Sequence, residues 1–169
     1  LQGVADASDS VLDYPRLRVT LQGCGAIGAA LAHALHGRGS ILTPSDIDAD
    51  RVSILVSELD SKVCGPDEVW SSAADVLAPC AVGGLLDERA AATVAADVVC
   101  GAANNILSSP RAEDVLRQRG VTYVPDFISS AGAVIRGISR TVMPNAQGDR
   151  LIAALRGTTT EVLAIARRD

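Results

Sequence analysis

Arg18-Val19-Thr20-Leu21-Gln22-Gly23-Cys24-Gly25-Ala26-Ile27-Gly28-Ala29-Ala30-Leu31-Ala32-His33-Ala34-Leu35 is the stretch that decides the fold. A short β-branched run leads into three glycines spaced G-x-G-x-x-G, and strong helix formers follow from Ala29 onward. That order predicts strand, tight turn, helix. Gly37 and Gly39 end the helix as C-terminal glycines do, and Ile41-Leu42 begins a second strand leading to Asp46.

Outward from this unit the alternation continues. Asp48 stands where it can cap a helix over 49–59, and 74–78 reads as the next strand. Asp87 caps a helix running to about Val94, and 97–100 is a strand. Ser109-Pro110 opens another helix, 121–124 is a strand, and helical sequence runs to the end. Strands alternating with helices predict an α/β fold of Rossmann type: a doubly wound, mostly parallel sheet with helices on both faces. Residues 1–16 carry Gly3, several Asp and Ser, and Pro15, and read as an approach segment, a linker or partial helix; 17–169 read as one domain with C-terminal helices.

Composition narrows the function classes. The chain has 169 residues and a formal net charge of -5, so it lacks the basic surface that tracks nucleic acid or anionic lipid. Its apolar runs fall short of the roughly 20 residues of a membrane span, and no basic-then-apolar leader opens it. Cys24, Cys64, Cys80 and Cys100 lack CxxC spacing and suit reduced thiols in a cytoplasmic protein. His33 and His36 share a helix face, but two imidazoles alone do not make a metal site.

In a glycine turn of this kind the first glycine permits the bend, the second lets backbone approach a pyrophosphate, and the third lets helix and strand pack closely. Gly23, Gly25 and Gly28 match those roles, with Cys24, Ala26 and Ile27 supplying the intervening backbone. The helix start adds unpaired N–H groups and a positive dipole end, so phosphate binding there requires no cationic side chain. The spacing alone also fits a turn with no ligand. Asp46, about 18 residues past Gly28, adds a carboxylate at the end of the second strand that can accept from ribose hydroxyls and repel an additional phosphate. That favours NAD over NADP. Asp46 also competes with Asp48 for the helix cap, and Pro44 disturbs the strand that would carry it.

Further candidates lie at the carboxyl ends of later strands. Pro79, Cys80 and Ala81 precede Val82-Gly83-Gly84, as a ligand-facing loop or an ordinary connection. Cys80 has no histidine near it in sequence and reads as a structural thiol. Asn104 and Asn105 follow Gly101-Ala102-Ala103; Asn104 is a cofactor candidate, and both amides also suit a turn. Ile47 sits beside Asp46 on the same ligand-facing edge.

The order of Val19-Thr20-Leu21-Gln22-Gly23, Ser45-Asp46-Ile47-Asp48, Ala78-Pro79-Cys80-Ala81, Gly101-Ala102-Ala103-Asn104-Asn105, Tyr123-Val124-Pro125-Asp126-Phe127 and Ala131-Gly132 resembles the C-terminal NAD-binding domain of the leucine, phenylalanine and valine dehydrogenases, close relatives of glutamate dehydrogenase. The tail from Thr160 to Asp169 is similar to the family's late helix. The resemblance implies NAD-dependent oxidative deamination of an L-amino acid to a 2-oxo acid. It also implies a preceding catalytic domain with a lysine base and a lysine that holds the substrate carboxylate. Lys62 is the only lysine here and lies in a connecting segment, so the chain is expected to bind NAD(H) without turnover, its catalytic domain being on a missing N-terminal portion or a separate chain. The lack of an initiating Met fits a trimmed chain, and a homo-oligomer is open. The family's Asn-Ala-Gly-Gly segment appears as Ser130-Ala131-Gly132-Ala133, with Arg136 where a further asparagine is usual. Ser130 reaches less far than an amide, and Arg136 can meet a carboxylate. These departures leave open a non-catalytic dinucleotide-binding or regulatory protein derived from the family.

Overall fold

In the computed structural model, which describes residues 1–8 and 11–166, the chain divides into two units: Asp13–Tyr123, and Leu1–Leu12 together with Val124–Asp169. The first unit opens with a 3-10 turn, Tyr14–Arg16, and alternates β1 (Arg18–Gln22), α2 (Ala26–His36), β2 (Ile41–Ser45), α3 (Ala49–Leu59), β3 (Ala74–Pro79), α4 (Glu88–Thr93), β4 (Ala96–Val99), α5 (Pro110–Gln118) and β5 (Thr122–Tyr123), with α1 (Gln2–Ala7) preceding it in the chain. All four strand pairings are parallel, in the order β2-β1-β3-β4-β5. The chain steps from β1 outward to β2 and then returns to β3 on the other side of β1. The crevice of a doubly wound sheet forms at that reversal, beyond the carboxyl ends of the two strands. Gln22 pairs with Pro79 there, so Gly23 and Cys80 begin the two loops that face each other.

Local chemistry explains the elements. Along α3, Val52, Leu55 and Leu59 fall on one buried stripe, and the Asp48 carboxylate accepts from the N–H groups of Asp50 and Arg51 at its start. The helix stops at Asp60, whose φ of 47° is left-handed. On one side of the sheet Leu77, Leu86, Val99, Ile106 and Leu116 form an apolar cluster with Val69 and Val94. At the amino ends of β1 and β3, Asp75 accepts from the backbone N–H and guanidinium of Arg18, with an ion-pair distance of 2.6 Å.

Several expectations shift. Helix α2 begins at Ala26, three residues before the alanine-rich run, so Gly28 lies inside its first turn. Pro44 does not break β2. It is on the edge strand, and its carbonyl accepts from Cys64 N on the side away from β1, so the N–H that proline lacks would also have pointed outward. Ser109 stands at the start of α5 without capping it; its hydroxyl donates to Glu88 Oε1 at 2.6 Å.

The second unit is helical: α1, α6 (Asp126–Ser129), α7 (Ala131–Val142) and α8 (Asn145–Ala166). The segment expected as an approach or partial helix holds α1, which packs on α8 with Gly3, Val4 and Ala5 buried. Residues 9 and 10 of that segment, and 167–169 of the tail, lie outside the described residues.

Candidate functional site

The three glycines have separable reasons for being glycine. Gly23 has φ +102°, donates its N–H to Ser45 O at 2.8 Å, and would drive a Cβ to 2.6 Å from the backbone nitrogen of Ala81. A Cβ on Gly28 would overlap the carbonyl oxygen of Gly23. Both requirements are internal to the chain. Gly25 is different: its φ of -68° suits any residue, and a Cβ there would meet nothing nearer than Nη1 of Arg51 at 4.0 Å. The space over Gly25 opens into a cleft instead of a packed interior.

That cleft, about 360 Å³, is lined by Gly23, Gly25, Asp46, Ile47, Cys80 and Ala81 among the sequence-predicted residues. It also takes in Asp48, read from the sequence as a helix cap, and Gln22, Arg51, Val82 and Leu85, which the sequence reading did not offer as site residues. Ile47, Val82 and Leu85 are exposed aliphatic side chains, 92%, 68% and 43% accessible, so the cleft has apolar walls beside its glycine floor. Such walls suit a flat organic ring.

Asp46 and Asp48 divide the work that the sequence left shared. Asp48 caps α3. Asp46 accepts from Cys24 N with Oδ2 at 2.6 Å and from Asp48 N with Oδ1 at 2.9 Å, tying the glycine turn to the end of β2. Both oxygens retain lone pairs for further donors. The eleven-residue α2 follows directly on Gly25, which lines the cleft, and has no side-chain cap to answer its first-turn N–H groups.

The remaining candidates are distributed around this site or apart from it. Cys24 is buried, and Ile27 is 55% exposed on the first turn of α2. Pro79 does not line the cleft; its carbonyl oxygen accepts from Ala102 and Ala103 N at 2.9 and 3.0 Å. Asn104 is exposed but does not line the cleft either; Gly83 packs against its carbonyl. Asn105 is a turn residue at φ 50°, its carbonyl accepting from Gly84 N. Ser130 and Arg136 belong to the helical unit, where the Ser130 hydroxyl donates to Asp126 O at 2.6 Å and Arg136 pairs with Asp149 at 2.8 Å.

Burial argues against thiolate chemistry. Burial, and then the Asp46 charge, pushes the Cys24 thiol up to about 11, and burial pushes Cys80 to about 11. His33 Nε2 stands 3.1 Å from Glu58 Oε2. Among the described residues no cluster of three or more His, Cys, Asp or Glu has metal-binding geometry, and no helix is long and apolar enough to cross a membrane.

With this geometry in place, comparison with known proteins is specific. Residues 4–143 match the family described as Glutamate/Leucine/Phenylalanine/Valine dehydrogenase. The chain is 32% identical over 152 residues to the leucine dehydrogenase of Geobacillus stearothermophilus, covering 89% of this chain and 41% of that enzyme. It is 36% identical over 141 residues to the valine dehydrogenase of Streptomyces albus, covering 80% of this chain and 39% of that one. The crystal structure of L-tryptophan dehydrogenase from Nostoc punctiforme superposes with a TM-score of 0.92 at 25% identity, over 99% of this chain and 50% of that chain. The chain thus spans half or less of the length of these relatives.

Proposed function

The chain belongs to the Glutamate/Leucine/Phenylalanine/Valine dehydrogenase family, and from that we propose that it is the NAD-binding domain of an amino-acid dehydrogenase acting on an L-amino acid in the cytoplasm, with the lysine-bearing catalytic domain outside these residues. The observation that carries this reading is Gly25: among the described residues nothing demands glycine there, whereas close approach of a pyrophosphate does.

When bound, NAD would supply the hydride acceptor for oxidation at the amino acid's α carbon. The residues of this chain bind and orient. Gly25 and the first-turn N–H groups of α2 meet the pyrophosphate. Asp46, held by Cys24 and Asp48 N–H groups, accepts from the adenosine ribose hydroxyls. Ile47, Val82 and Leu85 shield the flanks of the adenosine from water. Proton transfer at the substrate needs a base with a pKa near the working pH, and the raised thiols of Cys24 and Cys80 do not provide one.

Isothermal calorimetry with NAD tests the reading: saturable binding with a dissociation constant on the order of micromolar is expected. Absence of saturation with both NAD and NADH rejects it. Trp70 lines a cavity beside the cleft together with Gln22, Asp46 and Ile47, so quenching of its fluorescence is an independent readout.

The engagement of the Ser130 hydroxyl with Asp126 and of Arg136 with Asp149 favours a second reading, a non-catalytic nucleotide-binding or regulatory protein. Supplying a separately made catalytic domain, amino acid and NAD, and following NADH absorbance, decides between the two. Restored turnover excludes the second.

A further inference from the structure

Arg51 is the only cation among the described residues that line the cleft, beside the two carboxylates of Asp46 and Asp48. It stands in the first turn of α3, and its Nε is held by Asp48 Oδ2 at 3.1 Å. The other oxygen of Asp48 caps the helix. One carboxylate therefore fixes both the helix start and the direction of the guanidinium. With Nε engaged, the two Nη groups form the free edge of the fork. Nη1 is the nearest atom to the open face of Gly25, 4.0 Å from where a Cβ would lie. An anion resting against Gly25 at the uncapped start of α2 would thus come within reach of that edge.

The Arg51–Asp48 pair does not by itself account for this placement. The side chains are 57% and 42% exposed and three residues apart on a helix, and exposed pairs of this kind contribute little stability. A pre-oriented guanidinium at an anion-sized opening does more when an anion is present, because its hydrogen bonds are charge-assisted.

We propose that Arg51 is a binding residue for the phosphates of the bound dinucleotide, closing over Gly25; this rests on the dinucleotide-binding reading above. The arrangement adds a charged group to the backbone N–H groups and helix dipole that suffice for phosphate binding. It also offsets part of the negative potential of Asp46 and Asp48 where a pyrophosphate must enter.

The test is calorimetric titration of the 169-residue chain and its Arg51→Gln and Arg51→Lys variants with NAD, ADP, adenosine and NADP. Arg51→Gln is expected to weaken NAD and ADP about tenfold while leaving adenosine unchanged, with partial recovery in Arg51→Lys. Raising the salt concentration is expected to shrink the difference between native and Gln chains. Equal weakening of adenosine would overturn the proposal by placing Arg51 on the base or ribose. A loss confined to NADP would overturn it in favour of a 2′-phosphate contact. Native and Gln chains binding NAD equally would remove this inference alone, and a native chain that binds neither NAD nor ADP would remove the proposed function with it.

Discussion

At the residue scale, Gly25 and Gly28 are three positions apart and answer to different constraints, which makes them a discriminating pair. A methyl group at Gly28 collides with the Gly23 carbonyl inside the turn, and rigid backbone on both sides leaves little room to relax. Gly28→Ala is expected to destabilise the fold by about 3 kcal/mol, read as a lowered thermal midpoint. Gly25→Ala meets, among the described residues, no atom within ordinary contact distance other than Arg51 Nη1, so its unfolding free energy is expected to stay within about 1 kcal/mol of that of the native chain while NAD affinity falls. Equal destabilisation by the two would contradict the assignment of Gly25 to a ligand. The thiols supply a pH dependence with a definite sign. Cys24 and Cys80 ionise near 11 in the folded chain against an ordinary value of 9.0, so unfolding favours loss of their protons. The stability of the neutral thiols is fully present below pH 9.0 and is lost as pH rises through about 11. Denaturant midpoints measured from pH 8 upward should fall across that window, and Cys24→Ser with Cys80→Ser should flatten the fall.

At the scale of single elements, α3 depends on Asp48, whose carboxylate answers two otherwise unpaired N–H groups. Asp48→Ala is expected to cost about 1 kcal/mol in urea unfolding, and Asp48→Asn to restore most of it because an amide oxygen also caps. This helix was legible in the sequence to the residue, since cap, apolar stripe and end all lie within one local stretch. So was β1, and the glycine turn named its own three roles. What was not legible depends on residues far apart in sequence. Pro44 looked like a strand breaker because nothing local says that β2 is an edge strand with its free side toward Cys64. Ser109 looked like a cap because the local pattern is right, while Glu88, brought alongside by the sheet, takes its hydroxyl. Arg51, Val82 and Leu85 carry no strong local mark of a site in the sequence. Their meeting with Gly25 and Asp46 is a product of the crossover between β1, β2 and β3. The spacing of Arg51 from Asp48 was visible, and a cation three residues after the capping carboxylate is the one local signal that could have raised it.

At the scale of the whole molecule, the first residues of the chain belong with its last helices. Contacts place Leu1–Leu12 in one unit with Val124–Asp169, and within that unit α1 lies along α8. The packing is close: a Cβ on Gly3 would come 2.6 Å from the carbonyl oxygen of Arg156 and 2.7 Å from Cβ of Thr159. Asp6 accepts from Arg156 at 2.6 and 3.0 Å, which draws its carboxyl below the ordinary range, and Thr160 Oγ1 donates to Gly3 O at 3.3 Å. The ion pair is exposed and contributes little by itself, so the close backbone approach at Gly3 should dominate. Two substitutions separate these terms. Asp6→Asn removes the charge pair and is expected to leave the urea midpoint nearly unchanged. Gly3→Val forces α1 off α8, and hydrogen exchange should then show lost protection along Asn145–Ala166. Protection of α8 surviving Gly3→Val would mean that α8 holds its fold on its contacts with α6 and α7 alone, and that the amino-terminal helix only rests on it.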